Sequence, residues 1–377
     1  MSPDERQKAF DDAVAFVYKA YPQMDGRGQL YDHWAECNYY QQHVINLADS
    51  FMEEHRASKS FRATWKFCEL VNQSQRFLYE TNLMNDLKKL CEINTIAVDT
   101  LDEADRRDDL KASVLSHQAN LYESIGKVDQ AIEWNQQAYQ IRLNQKPPKY
   151  HLISSFENNL GFCYNTANKH DTAFEYFKKA EATWHGQGLP CPVVILKNMA
   201  RGLLYLKRLD EARALLKTCI DGFRNEDTLN WAMVAYSAYF ALGLIDRREG
   251  KFESAEATFI EAQNLWLKGD LKELHPFNGA CMYKTGAVCL DQGKVEAAIK
   301  HLRDSIKVTE KHMKLMPVEH ARSLFKLSEA LTQDPQYESE AEGFRDKAEK
   351  NLRERDPSAT DFGSEEPYDL LIPIFWR

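Results

Sequence analysis

The sequence predicts an all-α protein, a right-handed superhelical solenoid built from stacked helix pairs. One alanine recurs at nearly constant spacing, at Ala131, Ala173, Ala212, Ala255 and Ala298. The intervals are 42, 39, 43 and 43 residues. A repeat of this period is typical of helix pairs that bury their apolar faces only against their neighbours. Alternating β-branched runs bounded by hairpin turns are nearly missing, so strands are not expected.

The turn between the two helices of a pair is marked five residues before each alanine. Gly126, Gly250 and Gly293 stand at this place in three copies, and Asn168 in another. The turn needs a positive φ, which glycine adopts freely and asparagine tolerates. Lys207 holds the same place in the third copy, so that turn is expected to be weaker.

Prolines mark the gaps between successive pairs, where a missing N–H does no harm. They are Pro147, Pro148, Pro190, Pro192, Pro276 and Pro317. The remaining gap, near Asn225 to Asp227, carries helix-capping residues instead. No proline interrupts a proposed helix, which supports the register as a whole.

The organisation that follows is a helical lead-in at 1–57, a repeat array at 58–355 and a tail at 356–377. We expect lead-in helices around Asp11–Ala20 and Trp34–Phe51, and a degenerate pair within 60–101. The five clearest pairs are expected at about 113–142, 153–183, 193–222, 230–266 and 278–312. An irregular, charged pair from Val318 to Arg353 would cap the array.

The tail is too short for another helix pair, yet it is strongly apolar near its end. Its apolar residues are Leu370, Leu371, Ile372, Ile374, Phe375 and Trp376. Left exposed, they would form a hydrophobic patch of a kind that folded proteins rarely leave uncovered. We therefore expect the tail to dock on the solenoid.

Composition and motifs exclude several classes of function. The formal net charge is −9, which makes nucleic acid an improbable general partner. No run of 18 apolar residues occurs, so neither a membrane span nor a secretory signal is expected. Eight scattered cysteines without a CxxC pair indicate a reducing compartment and hence the cytoplasm.

No cofactor or metal is expected either. Phosphate-binding loops, dinucleotide fingerprints, HExxH and GxSxG motifs are all missing from the sequence. Cys37 and His43 are too few ligands for a zinc site.

The repeated pattern resembles tetratricopeptide repeats, in the longer variety seen in kinesin light chains. The whole chain also resembles the C-terminal region of fungal NOD-like receptor (NB-ARC/tetratricopeptide) proteins, here without the ATPase. That second likeness rests on the segments Tyr21–Pro22, His33–Cys37 and His43–Leu47 of the lead-in and on the closing Tyr368–Pro373 through Arg377. The resemblance implies a concave groove, lined by the first helix of each pair, that binds a peptide or protein.

The repeat register places ten residues in such a groove. They are Asn120, Asn158, Phe162, Asn165, Lys197, Arg201, Phe240, Leu244, Arg247 and Tyr283. The basic members suit a carboxylate or phosphate, and the aromatic members suit an apolar body beside it. Two alternatives stay open: Lys197 and Arg201 are merely solvated, or Phe162 and Phe240 belong to the core.

Two functions fit these features. The first is a binding protein that recognises a peptide, a protein segment or a small apolar molecule bearing an anionic group. The second is a stand-alone, cofactor-independent enzyme of fungal secondary metabolism, a cyclase, pericyclase or isomerase that folds its substrate in the groove. Orientation and electrostatics alone can drive such catalysis, so the missing catalytic motif does not exclude it. The sequence singles out no catalytic residue.

Overall fold

The structure is a computed structural model that describes residues 1–24, 30–102, 104–188, 191–224, 238–268 and 273–377. Within those residues it contains helices and no strand. The chain divides into two compact units. The N-terminal unit comprises Met1–Tyr122 and Asp129–Phe156, and the C-terminal unit comprises Glu123–Val128 and Glu157–Arg377.

The first seven helices begin with the lead-in and end with the first helix of the second clear repeat. They are α1 (Pro3–Ala20), α2 (Trp34–Ala57), α3 (Trp65–Glu80), α4 (Met84–Asp99), α5 (Ala104–Ser124), α6 (Val128–Asn144) and α7 (Tyr150–Thr166), with a short 3₁₀ turn at Tyr31–His33 before α2. Helix α1 begins earlier than predicted because Ser2 and Glu5 form a capping box around Pro3.

The remaining helices belong to the C-terminal unit. They are α8 (His170–His185), α9 (Val193–Tyr205), α10 (Leu209–Arg224), α11 (Phe240–Arg248), α12 (Phe252–Trp266), α13 (Pro276–Asp291), α14 (Val295–His312), α15 (Pro317–Leu331), α16 (Glu338–Arg355) and α17 (Glu366–Leu371). Their bounds lie within a few residues of the predicted pairs. Pro190, the gap at Asn225 to Asp227 and the predicted helix start at 230 lie outside the described residues.

Helices that follow one another in sequence pack together. In the C-terminal unit α9 packs on α10, α11 on α12, α13 on α14 and α15 on α16. Successive pairs then contact each other through α8 with α9, α12 with α13, and α14 with α15. The predicted fold class, an all-α solenoid of tetratricopeptide-like helix pairs, is confirmed.

The turn inside each pair has the predicted backbone conformation. Gly126, Gly250 and Gly293 all have φ of 73°, and Asn168 has φ of 60°. Lys207 has φ of 61°, so the third turn keeps the same conformation although a lysine rarely adopts it. The repeat geometry therefore holds even where the preferred residue is missing.

Close approach of the two helices of a pair depends on glycine opposite a large side chain. A Cβ atom added at Gly161 would lie 2.7 Å from the Phe177 ring, and one at Gly243 would lie 2.7 Å from the Phe259 ring. The phenylalanine therefore sits directly on the glycine, where ridge and groove of the two helices interlock. This contact fixes which residues of the first helix face away from the second.

A methyl group at Gly161 should destabilise the protein. In the Gly161→Ala variant the new Cβ would meet the Phe177 ring at 2.7 Å and the Ala173 carbonyl oxygen at 3.0 Å, an overpacking that costs about 1–3 kcal/mol. The matched control is Gly343→Ala on α16, where nothing lies within 4 Å. That variant should gain about 0.5–1 kcal/mol from helix propensity. Urea unfolding followed by circular dichroism measures both, and equal shifts for the two variants would contradict the packing.

Candidate functional site

The tail, residues 356–377, lies against the first helices of five successive pairs in the C-terminal unit. It contacts Phe162 of α7, Tyr205 of α9, Arg247 of α11, Tyr283 of α13 and Arg322 of α15. We call the surface formed by these five helices the groove. Much of the groove is thus covered by a segment of the same chain.

Two carboxylates of the tail bind the groove at the start of α17. Glu365 pairs with Arg247 through both guanidinium Nη atoms, at 3.1 and 3.0 Å, and accepts a hydrogen bond from the Tyr283 hydroxyl at 2.7 Å. The Lys326 Nζ lies 3.1 Å from the same carboxylate. A bidentate arginine contact of this kind is among the strongest polar interactions in proteins.

The second carboxylate lies one helical turn further along α17. Asp369 accepts a hydrogen bond from Arg322 Nη1 at 2.6 Å and another from Lys284 Nζ at 3.2 Å. Lys284 Nζ also lies 3.5 Å from Glu365, so it bridges the two carboxylates. Three helices of the groove, α11, α13 and α15, supply the cations for this ion cluster, which we define as Arg247, Lys284, Arg322, Lys326, Glu365 and Asp369.

The ion cluster is largely removed from water. The side chains of Lys284 and Arg322 are each 2% exposed, and that of Lys326 is 9% exposed. Burial alone would raise the pKa of Glu365, but Arg247, Lys284 and Lys326 outweigh it and hold the pKa well below its usual range. Burial lowers the pKa of Lys284 to about 8 although both carboxylates oppose the shift. The cations and the tail carboxylates therefore depend on each other to stay charged.

Two of the four cations also have partners outside the tail. Arg247 Nε lies 2.6 Å from Asp291, and Lys326 Nζ lies 2.6 Å from Glu329. With the tail in place, four cations face four carboxylates. Without it, the ion pairs that remain for these four cations among the described residues are those of Arg247 with Asp291 and of Lys326 with Glu329.

The end of the tail binds a second, mainly apolar part of the groove. The rings of Phe375 and Phe162 lie 4.2 Å apart between centroids. Trp376 donates its indole N–H to Glu319 at 3.1 Å, and Arg322 donates to the Trp376 carbonyl at 2.9 Å. The tail is therefore held by charges at one end and by aromatic rings at the other.

Arg377 closes the tail on the turn after α7. Its guanidinium donates to the carbonyl oxygens of Thr166, Leu370 and Ile372 and to the Asn168 side-chain oxygen. The Asn168 amide in turn donates to the Leu370 carbonyl at 3.1 Å. The turn residue that the repeat pattern singled out for its backbone conformation is thus also a contact residue for the tail.

A buried carboxyl group lies beneath this end of the tail. Glu123 accepts a hydrogen bond from the Thr166 hydroxyl at 2.7 Å, and the Ile374 backbone N–H donates to that same hydroxyl at 3.2 Å. Within the described residues the other Glu123 oxygen has no hydrogen-bond partner. Burial raises the pKa of Glu123 to about 8, although Thr166 and Arg377 act to lower it. This carboxyl group is therefore mostly neutral at pH 7.

Three of the ten predicted groove residues contact the tail: Phe162, Arg247 and Tyr283. Asn158 accepts a hydrogen bond from Asn198 at 3.0 Å, and Asn165 pairs with His170 at 2.6 Å. Both asparagines are buried. They contribute to contacts between neighbouring helices of the unit.

Several of the other predicted groove residues lie elsewhere. Phe240 is 1% exposed and packs at 5.4 Å from both Phe259 and Phe277, so it belongs to the core, the alternative that the sequence left open. Leu244 is partly buried against the neighbouring core cluster, and Asn120 is half-buried in the N-terminal unit.

Lys197 and Arg201 are buried rather than solvated. Burial, together with the nearby Arg201 charge, holds the pKa of Lys197 well below its usual value. The structure thus overturns the alternative that left this pair in solvent.

Sequence reasoning missed three of the four cations in the ion cluster: Lys284, Arg322 and Lys326. The repeat register held a signal for one of them. Extending the spacing of 43 residues beyond Tyr283 leads to Lys326, and Arg322 stands one helical turn before it. The charged sequence of the last pair predicts a cap that faces water, and such a cap gives no reason to expect inward-facing cations.

A small cavity lies beside the tail. Its lining includes Pro276, Gly279, Tyr283, Glu319 and Trp376, and its volume is about 10 Å³. This is roughly the space that one water molecule needs. With the tail in place, the cavity leaves no room for a small organic ligand.

The described parts of the chain show no sign of a metal site, a disulfide bond or a membrane-spanning helix. They contain no group of three or more His, Cys, Asp or Glu placed to hold a metal ion. All eight cysteines are free; seven are buried and Cys191 is half-buried. Among the helices of the described ranges, none combines the length and apolar character that a bilayer crossing requires.

Comparison with known families identifies the repeats. A family model described as tetratricopeptide repeat matches residues 152–225 and 234–311. The chain therefore carries tetratricopeptide repeats in these two stretches. Among curated proteins, none matches the chain significantly.

Three similar solved structures are complexes. A Rap protein complexed with Competence and Sporulation Factor has a TM-score of 0.59 at 11% identity, covering 97% of this chain and 96% of that one. NprR in complex with its cognate peptide NprX has a TM-score of 0.56 at 12% identity, covering 91% and 98%. The Rap conjugation gene regulator of the plasmid pLS20, in complex with the Phr* peptide, has a TM-score of 0.53 at 14% identity, covering 97% and 94%. At these identities the likeness shows the fold alone.

Replacing Glu123 by glutamine should change how stability depends on pH. The folded-state pKa is raised from 4.5 to about 8. The unfolded chain therefore releases the proton at lower pH than the folded one, and this group makes the protein less stable as pH rises from about 4.5 to about 8. Glu123→Gln keeps an acceptor for Thr166 and has no proton to lose.

The stability of Glu123→Gln relative to the parent should therefore rise steadily across that window. Urea midpoints of both proteins at pH 5, 6, 7 and 8 measure the difference. A difference that stays constant with pH would show that Glu123 titrates normally in the folded protein.

Proposed function

We propose that this protein is a recognition module that binds a peptide or an exposed protein segment in the groove of its C-terminal unit. The observation that carries the proposal is the tail itself. A stretch of polypeptide already lies in the groove, held through its carboxylates, its backbone and its aromatic rings. A surface that accommodates one peptide segment in this way has the shape and the chemistry to accommodate another.

The contacts to the tail backbone support peptide binding in particular. Arg322 binds the Trp376 carbonyl, Thr166 binds the Ile374 N–H, and Asn168 binds the Leu370 carbonyl. Every peptide offers such backbone groups, so they provide affinity, whereas the charged and aromatic contacts select the sequence. A small apolar molecule would use few of these groups.

The similar solved structures support the proposal at the level of fold. NprR and the pLS20 regulator are described in complex with peptides. They show that a helical-repeat fold of this kind holds peptides in proteins of low sequence identity. The contacts described above, and not the likeness, indicate where a peptide would bind in this chain.

The enzyme hypothesis gains no comparable support. The cavity next to Trp376 has room for about one water molecule, and the polar groups around Glu365 and Asp369 are engaged with the tail. Two further predictions rest on the sequence alone. They are the location in the cytoplasm and the lineage shared with fungal NOD-like receptors.

Selection from a library of random dodecapeptides displayed on phage tests the proposal. Because the tail covers the groove, the target is the full chain carrying Glu365→Gln, which keeps the shape of the tail but removes one anchoring charge. Selected peptides, synthesised with fluorescein, are then titrated by fluorescence anisotropy. We expect acidic sequences with aromatic residues to be enriched, and a failure to select any peptide that binds in solution would contradict the proposal.

Removing Arg247 in the same background should weaken binding of the selected peptides 10- to 100-fold. The variant Arg247→Ala loses a charge-assisted contact of about 1.5–3 kcal/mol. The matched control is Arg303→Ala on α14, whose side chain is 45% exposed and pairs with Glu340. If both variants bind the selected peptides equally well, the peptides bind outside the groove.

A further inference from the structure

We propose that residues 364–377 are an exchangeable internal ligand of the groove, and that the external partner is a peptide with the same chemistry. That peptide carries two carboxylates four residues apart on one helical turn, followed by an extended segment with adjacent aromatic residues. This inference rests on the proposed function and specifies both its ligand class and its regulation. The tail occupies the site until such a peptide displaces it.

The connection between the tail and α16 permits release. Residues 356–363 form no helix, and their side-chain hydrogen bonds are local: Asp356 accepts from Ser358, and Asp361 accepts from Gly363 and Ser364. The remaining contacts of this connection are with the last pair itself: the Arg353 guanidinium lies 3.7 Å from the centre of the Phe362 ring, and Ala359 and Phe362 pack partly buried against the core of that pair. Eight residues span roughly 26–29 Å when extended. Residues 364–377 can therefore leave the groove while the helices stay paired.

The charge balance of the groove selects an acidic ligand. The chain as a whole is negative, at −9, yet four cations converge where the tail binds. Tail departure would leave Lys284 and Arg322, each 2% exposed, without an ion-pair partner among the described residues. An incoming peptide must supply those two charges, because a buried cation without a partner is strongly unfavourable.

The position of the two carboxylates defines the spacing. Glu365 and Asp369 are four residues apart, so one turn of helix directs both toward the same face. Their partners come from three helices: Arg247 from α11, Lys284 from α13 and Arg322 from α15. A peptide with a single acidic residue would satisfy one half of the cluster only.

One buried group of the tail points to a peptide that binds at least as well as the tail itself. Tyr368 is fully buried and stacks on Phe325 at 4.8 Å, but its hydroxyl has no hydrogen-bond partner among the described residues. A buried hydroxyl without a partner reduces affinity. A peptide with phenylalanine at this position should therefore bind as well as the tail sequence or several-fold more tightly.

The competing interpretation is a permanent cap. Tyr368 packs with Leu324, Phe325 and Leu352 in the core of the last pair, and a tail that completes this core would never leave. The two interpretations differ in one measurable respect. An exchangeable ligand dissociates while the helices stay folded, whereas dissociation of a permanent cap unfolds the helices that it covers.

The experiment uses the full chain with a protease cleavage site inserted after Thr360, in the exposed part of the connection. Cleavage converts the bound tail into a separate peptide without removing it. A fluorescein-labelled peptide of residues 362–377 is then added, and its binding is followed by anisotropy while circular dichroism follows the helices. We expect the labelled peptide to replace the cleaved tail reversibly, with the helical signal unchanged.

The uncut protein should bind the labelled peptide at least 10-fold more weakly than the cut protein. A tethered tail competes at an effective concentration in the millimolar range, and cleavage removes that advantage. Equal binding to cut and uncut protein would overturn the proposal, since the peptide would then bind somewhere else. Loss of the helical signal as the tail dissociates, or no exchange at all, would identify the tail as a permanent cap.

Peptide variants test the ligand class in the cut protein. Replacing both Glu365 and Asp369 in the peptide by their amides should weaken binding at least 10-fold, while Tyr368→Phe should preserve or strengthen it. If the double amide binds like the parent peptide, the charges do not select the ligand.

The two proposals fail separately. If the labelled tail peptide exchanges but the phage library yields no binding peptide, the groove binds its own tail alone. In that case only the proposed function fails. Selected peptides that bind the uncut parent and its Glu365→Gln variant equally well leave the proposed function intact. They refute competition by the tail.

Discussion

The ion cluster around Glu365 and Asp369 is the constraint on which binding in the groove depends. Four cations from three successive first helices lie mostly buried, and the tail supplies two of the carboxylates they face. Buried ion pairs add little net stability compared with apolar packing, but breaking one by removing a partner is costly. The cluster therefore acts less as a source of stability than as a constraint. The groove must hold two negative charges at these positions, whether they come from the tail or from elsewhere.

The repeat packing creates this constraint. Phe177 seated on Gly161, and Phe259 seated on Gly243, fix how the first helix of a pair rotates against the second. The side that faces away from that contact becomes the groove. Arg247 on α11 and Tyr283 on α13 therefore bind the same carboxylate although 36 residues separate them in the sequence. The small-residue pattern that makes the fold recognisable also brings the binding groups together.

The fold was predictable from the sequence because its determinants are local and repeated. Five alanines and five turn residues give the period, and even Lys207 adopts the turn conformation that the period demands. The site was predictable only in part. Phe240 is predicted in the groove but lies in the core. A periodic pattern locates a helix face only to within about one residue, or 100° of rotation, and so cannot separate these two positions. The carboxylates that pair with the cations could not be predicted from the sequence, because 118 residues separate Arg247 from Glu365 and no local pattern connects them.

Occupation by the tail sets the terms for any external ligand. The apparent affinity of such a ligand is its intrinsic affinity multiplied by the fraction of molecules in which the tail has left the groove. A purely apolar ligand, however large, would leave the uncovered cations without partners and so could not compete with the tail. A small molecule with one carboxylate would compensate one of the two charges that the tail provides. A peptide with two carboxylates at the spacing of Glu365 and Asp369 meets both requirements and also uses the backbone contacts of Thr166, Asn168 and Arg322. The same electrostatic constraint that holds the tail in place therefore favours an acidic peptide over a small apolar molecule.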